Sequence, residues 1–227
     1  MAAKPTKSSG QKDNFTRNLV IGMVALVVGV GVIFSVTGNQ TKVSSKIPTI
    51  ASEAEGYGLV FNPSAMPVID IWEDFQCPVC RDFEAVNNKQ IKEWIDSKKI
   101  VAVFHPLSFI GAESAYMANA AACSADEGKF LQFHEALYAN QASSENSGQW
   151  NSASLIALGA NLGISSKSFT DCVSNAKYQD WVTNVANDGQ KKNINSTPTV
   201  LINGKEIERT QANYFDANTF SKLVFKK

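Results

Sequence analysis

This sequence has few cysteines, few histidines and no excess of charge of either sign. Its 227 residues include four cysteines and two histidines, and 21 basic side chains stand against 21 acidic ones. Zero formal net charge and scattered lysines argue against a nucleic-acid-binding surface. A hydrophobic fraction of 44% and a charged fraction of 19% exclude a largely disordered chain. The length therefore fits one globular domain of ordinary size with an appendage.

The appendage contains a long hydrophobic run. Residues 19–36 are 18 uncharged and almost wholly apolar positions, which is near the short limit for a membrane-spanning helix. Four basic residues and one acidic residue precede the run, so the positive-inside tendency predicts a cytoplasmic tail over residues 1–18. A cleaved signal peptide is the alternative, but no A-x-A-like site follows the run. We therefore predict one N-terminal transmembrane helix, a signal-anchor, over 19–36 with the rest of the chain extracytoplasmic.

A polar stretch then leads into a region of regular patterns. Residues 37–57 are rich in Ser, Thr, Lys and Gly, which is typical of a linker. Strand-like runs at 59–61, 68–72 and 100–104 enclose a helical stretch that begins at a CPVC motif. This strand–helix–strand order is that of a βαβ unit. We place the globular domain over residues 58–227.

The second half of the domain is mostly helical before strand patterns return. Apolar spacing predicts helices in four segments: 112–125, 130–137, 155–162 and 166–185. An Asn-Gly turn at 203–204, between strand-like runs at 199–202 and 206–209, is a strong hairpin signal. Asp216 caps a final helix. The predicted fold class is α/β, a mixed sheet whose halves are separated by a helical insertion at about 107–190.

Cys77 and Cys80 frame the CPVC motif at a predicted helix start. Unpaired backbone N–H groups and the helix dipole at such a position favour a thiolate on Cys77. Pro78 fits the first helical turn, where its missing N–H is harmless. Cys80 lies one turn further in and can close a small ring with Cys77. We predict that Cys77 attacks and is attacked, and that Cys80 resolves the mixed disulfide.

Two other interpretations of the CPVC motif fit the sequence less well. A C-x-x-C pair can be half of a zinc site, but zinc needs about four ligands. The remaining cysteines are single, and His105 and His134 do not form a second ligand pair. A purely structural disulfide is disfavoured because small-ring disulfides are usually strained and reactive. We therefore expect no metal and no cofactor.

A second motif far downstream adds a family resemblance. The matching stretches are WEDFQCPVC at 72–80, GKF at 128–130 with FHEALY at 133–138, and STPTVLING at 196–204. With them the sequence resembles the thioredoxin superfamily, and more closely the DsbA-like oxidoreductases of bacterial cell envelopes. The resemblance covers about residues 58–227. It implies a thioredoxin-like fold with a helical insertion and an enzyme that exchanges thiols and disulfides.

The resemblance extends to the proline of the downstream motif. In that family the proline before the third strand is cis and lies against the disulfide, which here implies the Thr197–Pro198 bond. Backbone groups of such a turn can pair with an extended substrate strand beside Cys77. Thr197 and Pro198 are therefore the expected substrate-binding residues, with Pro78 and Val79 in supporting positions. An ordinary trans turn proline is the alternative.

At two positions the sequence departs from these relatives. Many of them carry a buried acid six residues before the first cysteine, where this chain has Ile71. Asp70, Glu73 and Asp74 lie nearby, so the sequence leaves open which acid assists the second cysteine. The strongly oxidising members have histidine immediately before that cysteine. Val79 stands there instead, which removes one source of thiolate stabilisation.

Cys123 and Cys172 each lie on the apolar stripe of a predicted helix. Two buried free thiols are one interpretation of this placement. We favour a structural disulfide between them, because an extracytoplasmic compartment is oxidising and this pairing leaves the CPVC pair intact. His134 also lies on an apolar face, where a hydrogen-bonded core histidine is favoured over a catalytic one.

The function that best fits the sequence is a dithiol oxidase at the outer face of the cell membrane. Such an enzyme would introduce disulfides into exported proteins through Cys77 and Cys80. By resemblance, a quinone-linked membrane enzyme would reoxidise it. A membrane-tethered disulfide reductase or isomerase is the alternative, and a non-enzymatic metal-binding or client-binding module is a third hypothesis. The expected partners are exported protein thiols and the membrane, and no nucleic acid.

Overall fold

A computed structural model of the protein describes residues 46–226, in which helices pack around one mixed sheet. The strands are β1 (Ala51–Ser52), β2 (Gly58–Phe61), β3 (Val68–Glu73), β4 (Val101–Pro106), β5 (Thr199–Ile202) and β6 (Lys205–Glu206). The helices are α1 (Pro78–Asp96), α2 (Ala112–Asp126), α3 (Phe130–Ala139), α4 (Ser152–Asn161), α5 (Lys167–Ser174), α6 (Gln179–Lys191), α7 (Gln211–Phe215) and α8 (Ala217–Val224). The predicted tail and membrane anchor lie outside these residues. Within 46–226, none of the helices combines the length and the apolar character that crossing a membrane requires.

The sheet has the strand order β1-β2-β4-β3-β5-β6. β3 and β4 run parallel and are joined through α1, as predicted for a βαβ unit, and the other neighbouring pairs are antiparallel. Ile71 in β3 lies opposite both Phe104 of β4 and Val200 of β5. These three side chains are almost fully buried. β3 is therefore a central strand, paired on both sides. The loop that follows it, which leads to Cys77, begins at a position that is fixed by this pairing.

Helix α1 is anchored by an apolar face against the C-terminal helices. Phe83, Ile91 and Trp94 are buried on that face. The Phe83 ring meets the ring of Phe220 in α8 edge to face, with 5.5 Å between the centroids. Burying one phenylalanine side chain contributes about 1.5–3 kcal/mol. This packing holds the start of α1, and hence the CPVC motif, against the sheet.

The helical insertion between β4 and β5 comprises α2 to α6. Helix α2 is rich in alanine, and its small side chains, such as Ala118 and Ala121, are fully buried. Small residues let neighbouring helices approach closely. Cys123 of α2 and Cys172 of α5 form a disulfide, with 5.9 Å between their Cα atoms. This is the pairing that the sequence favoured over two free thiols.

The linker predicted over residues 37–57 extends too far. Ala51 and Ser52 pair with Leu59 and Gly58 and add an edge strand to the sheet. Ile50, next to this strand, packs against the hydrophobic core. The polar composition around them gave no sign that residues 50–52 belong to the domain.

Two further boundaries differ from the prediction. The helix expected over 166–185 is interrupted between α5 and α6, where Ala176 has a left-handed backbone conformation with φ of 47°. The Lys177 N–H there bonds to the Cys172 carbonyl and closes α5. The strand expected at 206–209 is β6, which ends at Glu206. Thr210 then caps the short helix α7, which the sequence pattern did not indicate.

Candidate active site

Cys77 and Cys80 lie at the start of α1, after the short loop that follows β3. Cys77 is the N-cap of α1, and Pro78 occupies the first helical turn, as predicted. Both cysteines are free thiols in this structure. Cys77 is 7% exposed and Cys80 is fully buried, so an incoming sulfur can reach only Cys77. Val79 between them is exposed and brings no charge to the site.

The two thiols have opposite acidities. A hydrogen bond with the Cys80 thiol lowers the pKa of Cys77 to about 6, although burial opposes this shift. The backbone N–H groups of Val79 and Cys80 add to it, as expected at a helix N-terminus. Burial, followed by the interaction with Cys77, raises the pKa of Cys80 well above its ordinary value. Near neutral pH the arrangement therefore holds a thiolate at Cys77, the less buried cysteine, and a thiol at the fully buried Cys80.

Thr197 and Pro198 lie beside Cys77. The Cys77 thiol points at the backbone carbonyl oxygen of Thr197, with 3.6 Å between sulfur and oxygen. The Thr197–Pro198 peptide bond is cis. Thr197 is half-buried and Pro198 is buried. The structure thus brings together the two motifs that the sequence predicted to act as one site.

The loop that carries Thr197 is held by side chains that follow it in the chain. Thr199 Oγ1 donates to the Ser196 carbonyl oxygen over 2.7 Å. The Arg209 guanidinium donates to the same carbonyl at 3.4 Å and to Thr199 Oγ1. Tyr214 Oη accepts the Val200 N–H at 3.2 Å. The backbone beside Cys77 is therefore fixed from the C-terminal part of the chain.

Asp74 organises the loop that leads into Cys77. Its buried carboxylate accepts hydrogen bonds from Ser114 Oγ at 2.7 Å, the Gln76 N–H at 2.9 Å and the Ile110 N–H at 3.1 Å. Its carbonyl accepts the Cys77 N–H at 2.9 Å. Burial raises the pKa of Asp74, and these hydrogen bonds oppose the shift. Asp74 thus holds the backbone of the loop before Cys77 in place.

The helical insertion reaches this loop through glutamine side chains that sequence reasoning missed. Gln141 Nε2 donates to the carbonyl oxygens of Phe75, at 2.9 Å, and Cys77, at 3.0 Å. Gln76 Oε1 accepts the Asn146 N–H at 2.6 Å. A single glutamine in a loop has no periodicity or spacing that would mark it in advance. These contacts make the geometry of the CPVC motif depend on the insertion.

Two acids and a histidine form a buried cluster, and the charge of one of them, Glu73, adds to the raised pKa of Cys80. We call Glu73, Glu84 and His134 the acid–histidine cluster. His134 Nε2 lies 2.6 Å from Glu73 Oε1, and His134 Nδ1 lies 3.9 Å from Glu84 Oε2. Tyr138 Oη donates to Glu73 Oε2 at 3.2 Å. His134 is thus the hydrogen-bonded core histidine that the sequence favoured.

Of the acids that the sequence left open, Asp70 is directed away from this cluster. Its carboxylate lies 3.4 Å from Nε2 of His105, which is stacked on Trp72 with 3.7 Å between ring centroids.

Metal-ligating atoms of Glu73, Glu84 and His134 lie within 4.8 Å of one another, so these residues offer the one candidate cation site in the described part of the chain.

The arrangement of the cysteines supports thiol–disulfide exchange. A thiolate is the nucleophile of such exchange, and a second thiol within reach closes the ring that releases the first product. Cys77 and Cys80 have the acidity, the order of exposure and the proximity that this requires.

The comparisons with known proteins agree with this chemistry. A family model described as Thioredoxin matches residues 58–219. Disulfide bond formation protein D of Bacillus subtilis (strain 168) is 25% identical over 159 residues, which are 68% of this chain and 69% of that protein. The reduced DsbA structure from Mycobacterium tuberculosis has a TM-score of 0.61 at 25% identity, over 75% of this chain and 93% of the other.

A further solved structure matches more of the fold at lower identity. The MdbA protein, a thiol-disulfide oxidoreductase from Actinomyces oris, has a TM-score of 0.69 at 21% identity. The match covers 84% of this chain and 94% of the other. The chain therefore belongs to the thioredoxin family, as a thiol–disulfide oxidoreductase with the DsbA-like fold.

Proposed function

We propose that this protein is an extracytoplasmic dithiol oxidase that introduces disulfides into exported proteins. The observation that carries the proposal is the opposite acidity of the two thiols. Because the pKa of Cys77 is lowered to about 6, its reduced form is favoured as a thiolate. An enzyme whose reduced form is the more stable one gives up its disulfide readily. The similarity to Disulfide bond formation protein D supports the same direction of exchange.

The proposed reaction passes two electrons from a substrate dithiol to the enzyme. A substrate thiolate attacks Cys77 Sγ, the Cys77–Cys80 bond breaks, and Cys80 leaves with the electron pair. The second substrate thiolate then attacks the substrate sulfur of the mixed disulfide. Cys77 leaves as a thiolate, and the substrate is released with a new disulfide. The backbone groups of Thr197 and Pro198 lie where they can pair with an extended substrate beside Cys77.

The proposal includes a place for the enzyme and a way to regenerate it. An anchor over residues 19–36 would hold the domain at the outer face of the membrane, close to exported chains as they emerge. A disulfide between Cys123 and Cys172 is in keeping with an oxidising compartment. Reoxidation of Cys77 and Cys80 would fall to a quinone-linked membrane enzyme.

A membrane-tethered reductase or isomerase is the second candidate, and one observation favours it. Val79 is uncharged, so the thiolate lacks the additional stabilisation that a basic side chain at this position would supply. The two candidates predict different redox states in the cell, because a working oxidase waits for substrate as a disulfide and a reductase waits as a dithiol.

The experiment is to quench living cells with acid, alkylate the free thiols and determine the state of Cys77 and Cys80 by mass. We expect most of the protein to carry the Cys77–Cys80 disulfide. A protein found mainly as the dithiol would replace the oxidase with the reductase. The pair Cys123 and Cys172 serves as an internal reference, since it should resist alkylation in both cases.

A further inference from the structure

One side chain of the helical insertion contacts the backbone on both sides of Gln76. Gln141 Nε2 donates hydrogen bonds to the carbonyl oxygen of Phe75, over 2.9 Å, and to that of Cys77, over 3.0 Å. An amide nitrogen carries two N–H groups, so each of them has an acceptor here. Gln141 is half-buried and lies just after the end of α3. Its whole donor capacity is therefore used at the active-site loop.

Gln141 is itself fixed to the end of α3. Its backbone N–H bonds to the carbonyl oxygen of Tyr138, over 3.2 Å. The Tyr138 ring is buried and lies against the Phe75 ring, with 5.2 Å between the centroids, and its hydroxyl donates to the Asp74 carbonyl at 3.3 Å. A donor that is already held in place loses little conformational entropy when its hydrogen bonds form. The end of α3 and the active-site loop are thus connected by several contacts.

The hydrogen bond to the Cys77 carbonyl restricts how the Cys77 side chain can turn. Cys77 is the N-cap of α1, with an extended backbone of φ −71° and ψ 118°. The same carbonyl oxygen accepts the Arg81 N–H at 3.1 Å, which is the first hydrogen bond of the helix. Rotation about the Cα–C bond of Cys77 would turn its side chain relative to this helix start. The second donor, from Gln141, opposes that rotation.

The place of the Cys77 sulfur at the helix start determines its chemistry. The hydrogen bond with the Cys80 thiol is the largest cause of the lowered pKa of Cys77, and the backbone N–H groups of Cys80 and Val79 add to it. Hydrogen bonds weaken steeply when their geometry is disturbed. A small rotation of the Cys77 backbone would therefore weaken several of these contacts together. A group that fixes this backbone acts on the thiolate without touching the sulfur.

A separate set of contacts keeps the loop attached if the Gln141 amide is removed. Gln76 Oε1 accepts the Asn146 N–H at 2.6 Å, and Gln76 Nε2 donates to Ser114 Oγ at 2.8 Å. Gln76 is almost fully buried. Its side chain thus remains bound to α2 and to the connection between α3 and α4. Loss of the Gln141 amide should free the Cys77 carbonyl without releasing the loop.

We propose that Gln141 is a positioning residue for thiol–disulfide exchange, whose amide keeps the Cys77 sulfur at the N-terminus of α1 and so makes it a good leaving group. In the releasing step, the second substrate thiolate bonds to the substrate sulfur of the mixed disulfide. The bond from that sulfur to Cys77 Sγ breaks, and its electron pair stays on Cys77 Sγ. The substrate is oxidised and the enzyme is reduced, and the helix terminus stabilises the departing thiolate. The inference concerns exchange itself and holds for either direction of electron flow.

The test titrates the Cys77 thiol of the reduced full-length protein by the ultraviolet absorbance of its thiolate, over a pH range that brackets about 6. The titration of Cys77→Ser is subtracted to remove the other groups. Gln141→Met keeps the length of the side chain and removes both donors. It should raise the Cys77 pKa by about 1, which one ordinary hydrogen bond can account for. The glutathione equilibrium at pH 7 should then move about fivefold toward the disulfide, which is about 20 mV.

Two further variants separate the loss of the donor from a disturbance of the insertion. Gln149→Met is the matched control, because Gln149 Nε2 lies in the same connection and donates to the Asn140 carbonyl at 2.8 Å. It should leave the Cys77 pKa and the glutathione equilibrium unchanged. Gln141→Ala leaves space for water, which can donate to the same carbonyls. Its effect should have the same direction as that of Gln141→Met and be smaller.

Urea unfolding of each reduced variant shows whether it is folded under the conditions of the titration. A folded Gln141→Met protein with the wild-type pKa and equilibrium would overturn the inference, even if its stability were lower. Equal effects of Gln141→Met and Gln149→Met would also overturn it, because they would belong to the whole connection. If Gln141→Met does not fold, an unchanged Cys77 pKa in Gln141→Ala has the same meaning. A wild-type potential in the range of thioredoxin would contradict the oxidase but would leave the comparison of variants valid, which separates the two failures.

Discussion

The Cys77 sulfur lies 3.6 Å from the Thr197 carbonyl oxygen, although 120 residues separate the two positions in the sequence. The contact joins the end of β3 to the start of β5, which are neighbours in the sheet. A substrate that pairs with the backbone at Thr197 is thereby placed beside the thiol. The site is thus a property of sheet topology as much as of the CPVC motif.

The two cysteines should fail in different ways when they are replaced. Cys77→Ser should abolish exchange, because Cys80 is buried and no partner can reach it. Cys80→Ala should accumulate covalent adducts with exported proteins, because the mixed disulfide at Cys77 loses its route of release through the second thiol. Non-reducing gels of cells that express each variant show the adducts. Stronger adducts in the protein that lacks Cys77 would reverse the assignment.

The stability of the reduced protein should depend on pH through Cys77. Its pKa is lowered from 9.0 to about 6 on folding, so between these values the unfolded state binds more protons. Stability should therefore rise with pH in this window, by at most about 1.4 kcal/mol per pH unit, and the contribution disappears below about pH 6. Urea unfolding of reduced wild type and Cys77→Ser at several pH values gives the difference. Parallel curves for the two proteins would show that Cys77 is not a stabilised thiolate.

The reduction potential of the Cys77–Cys80 pair should be that of a moderate oxidant. The helix N-terminus favours the thiolate, whereas Val79 adds no positive charge. We expect about −130 to −210 mV, between the strongest oxidant of this kind near −120 mV and thioredoxin near −270 mV. A glutathione titration of the purified protein measures it. A value near −270 mV, with the oxidised form the more stable, would favour the reductase.

The Cys123–Cys172 disulfide should stabilise the insertion without taking part in exchange. Its cysteines are 49 positions apart, and closing a loop of this length is worth about 4 kcal/mol in the chain-entropy model. Replacing both cysteines with alanine should lower the free energy of unfolding by about 2–4 kcal/mol. The rate at which Cys77 is alkylated should not change. A large change in that rate would connect the disulfide to the active site.

The predicted topology can be tested on intact cells. Four basic residues before the apolar run at 19–36 predict that residues 1–18 are cytoplasmic and that the domain is outside. Protease added to cells with an accessible outer membrane face should remove the domain, whereas a cytoplasmic marker protein stays intact. Complete protection of the domain would contradict the extracytoplasmic location.

The sequence by itself determined the parts of the protein that depend on local patterns. CPVC at a helix start identified the two cysteines, because the chemistry of the pair arises from neighbouring residues on one helical turn. Strand and helix periodicity gave the βαβ unit, the helical insertion and the hairpin turn. The second motif at Thr197 and Pro198 was found through resemblance, since spacing alone does not bring it to Cys77.

Only the tertiary structure decided the contacts between side chains that are far apart in the chain. Gln141 supports the active loop from 64 residues away, and His134 meets Glu73 across 61 residues. Asp70, Glu73 and Asp74 look equivalent in the sequence, but their side chains contact three different partners: His105, His134 and Ser114. Asp70 and Glu73 lie on opposite faces of β3, and Asp74 lies in the loop that follows it, so each meets different neighbours. No local pattern in the sequence contains that information.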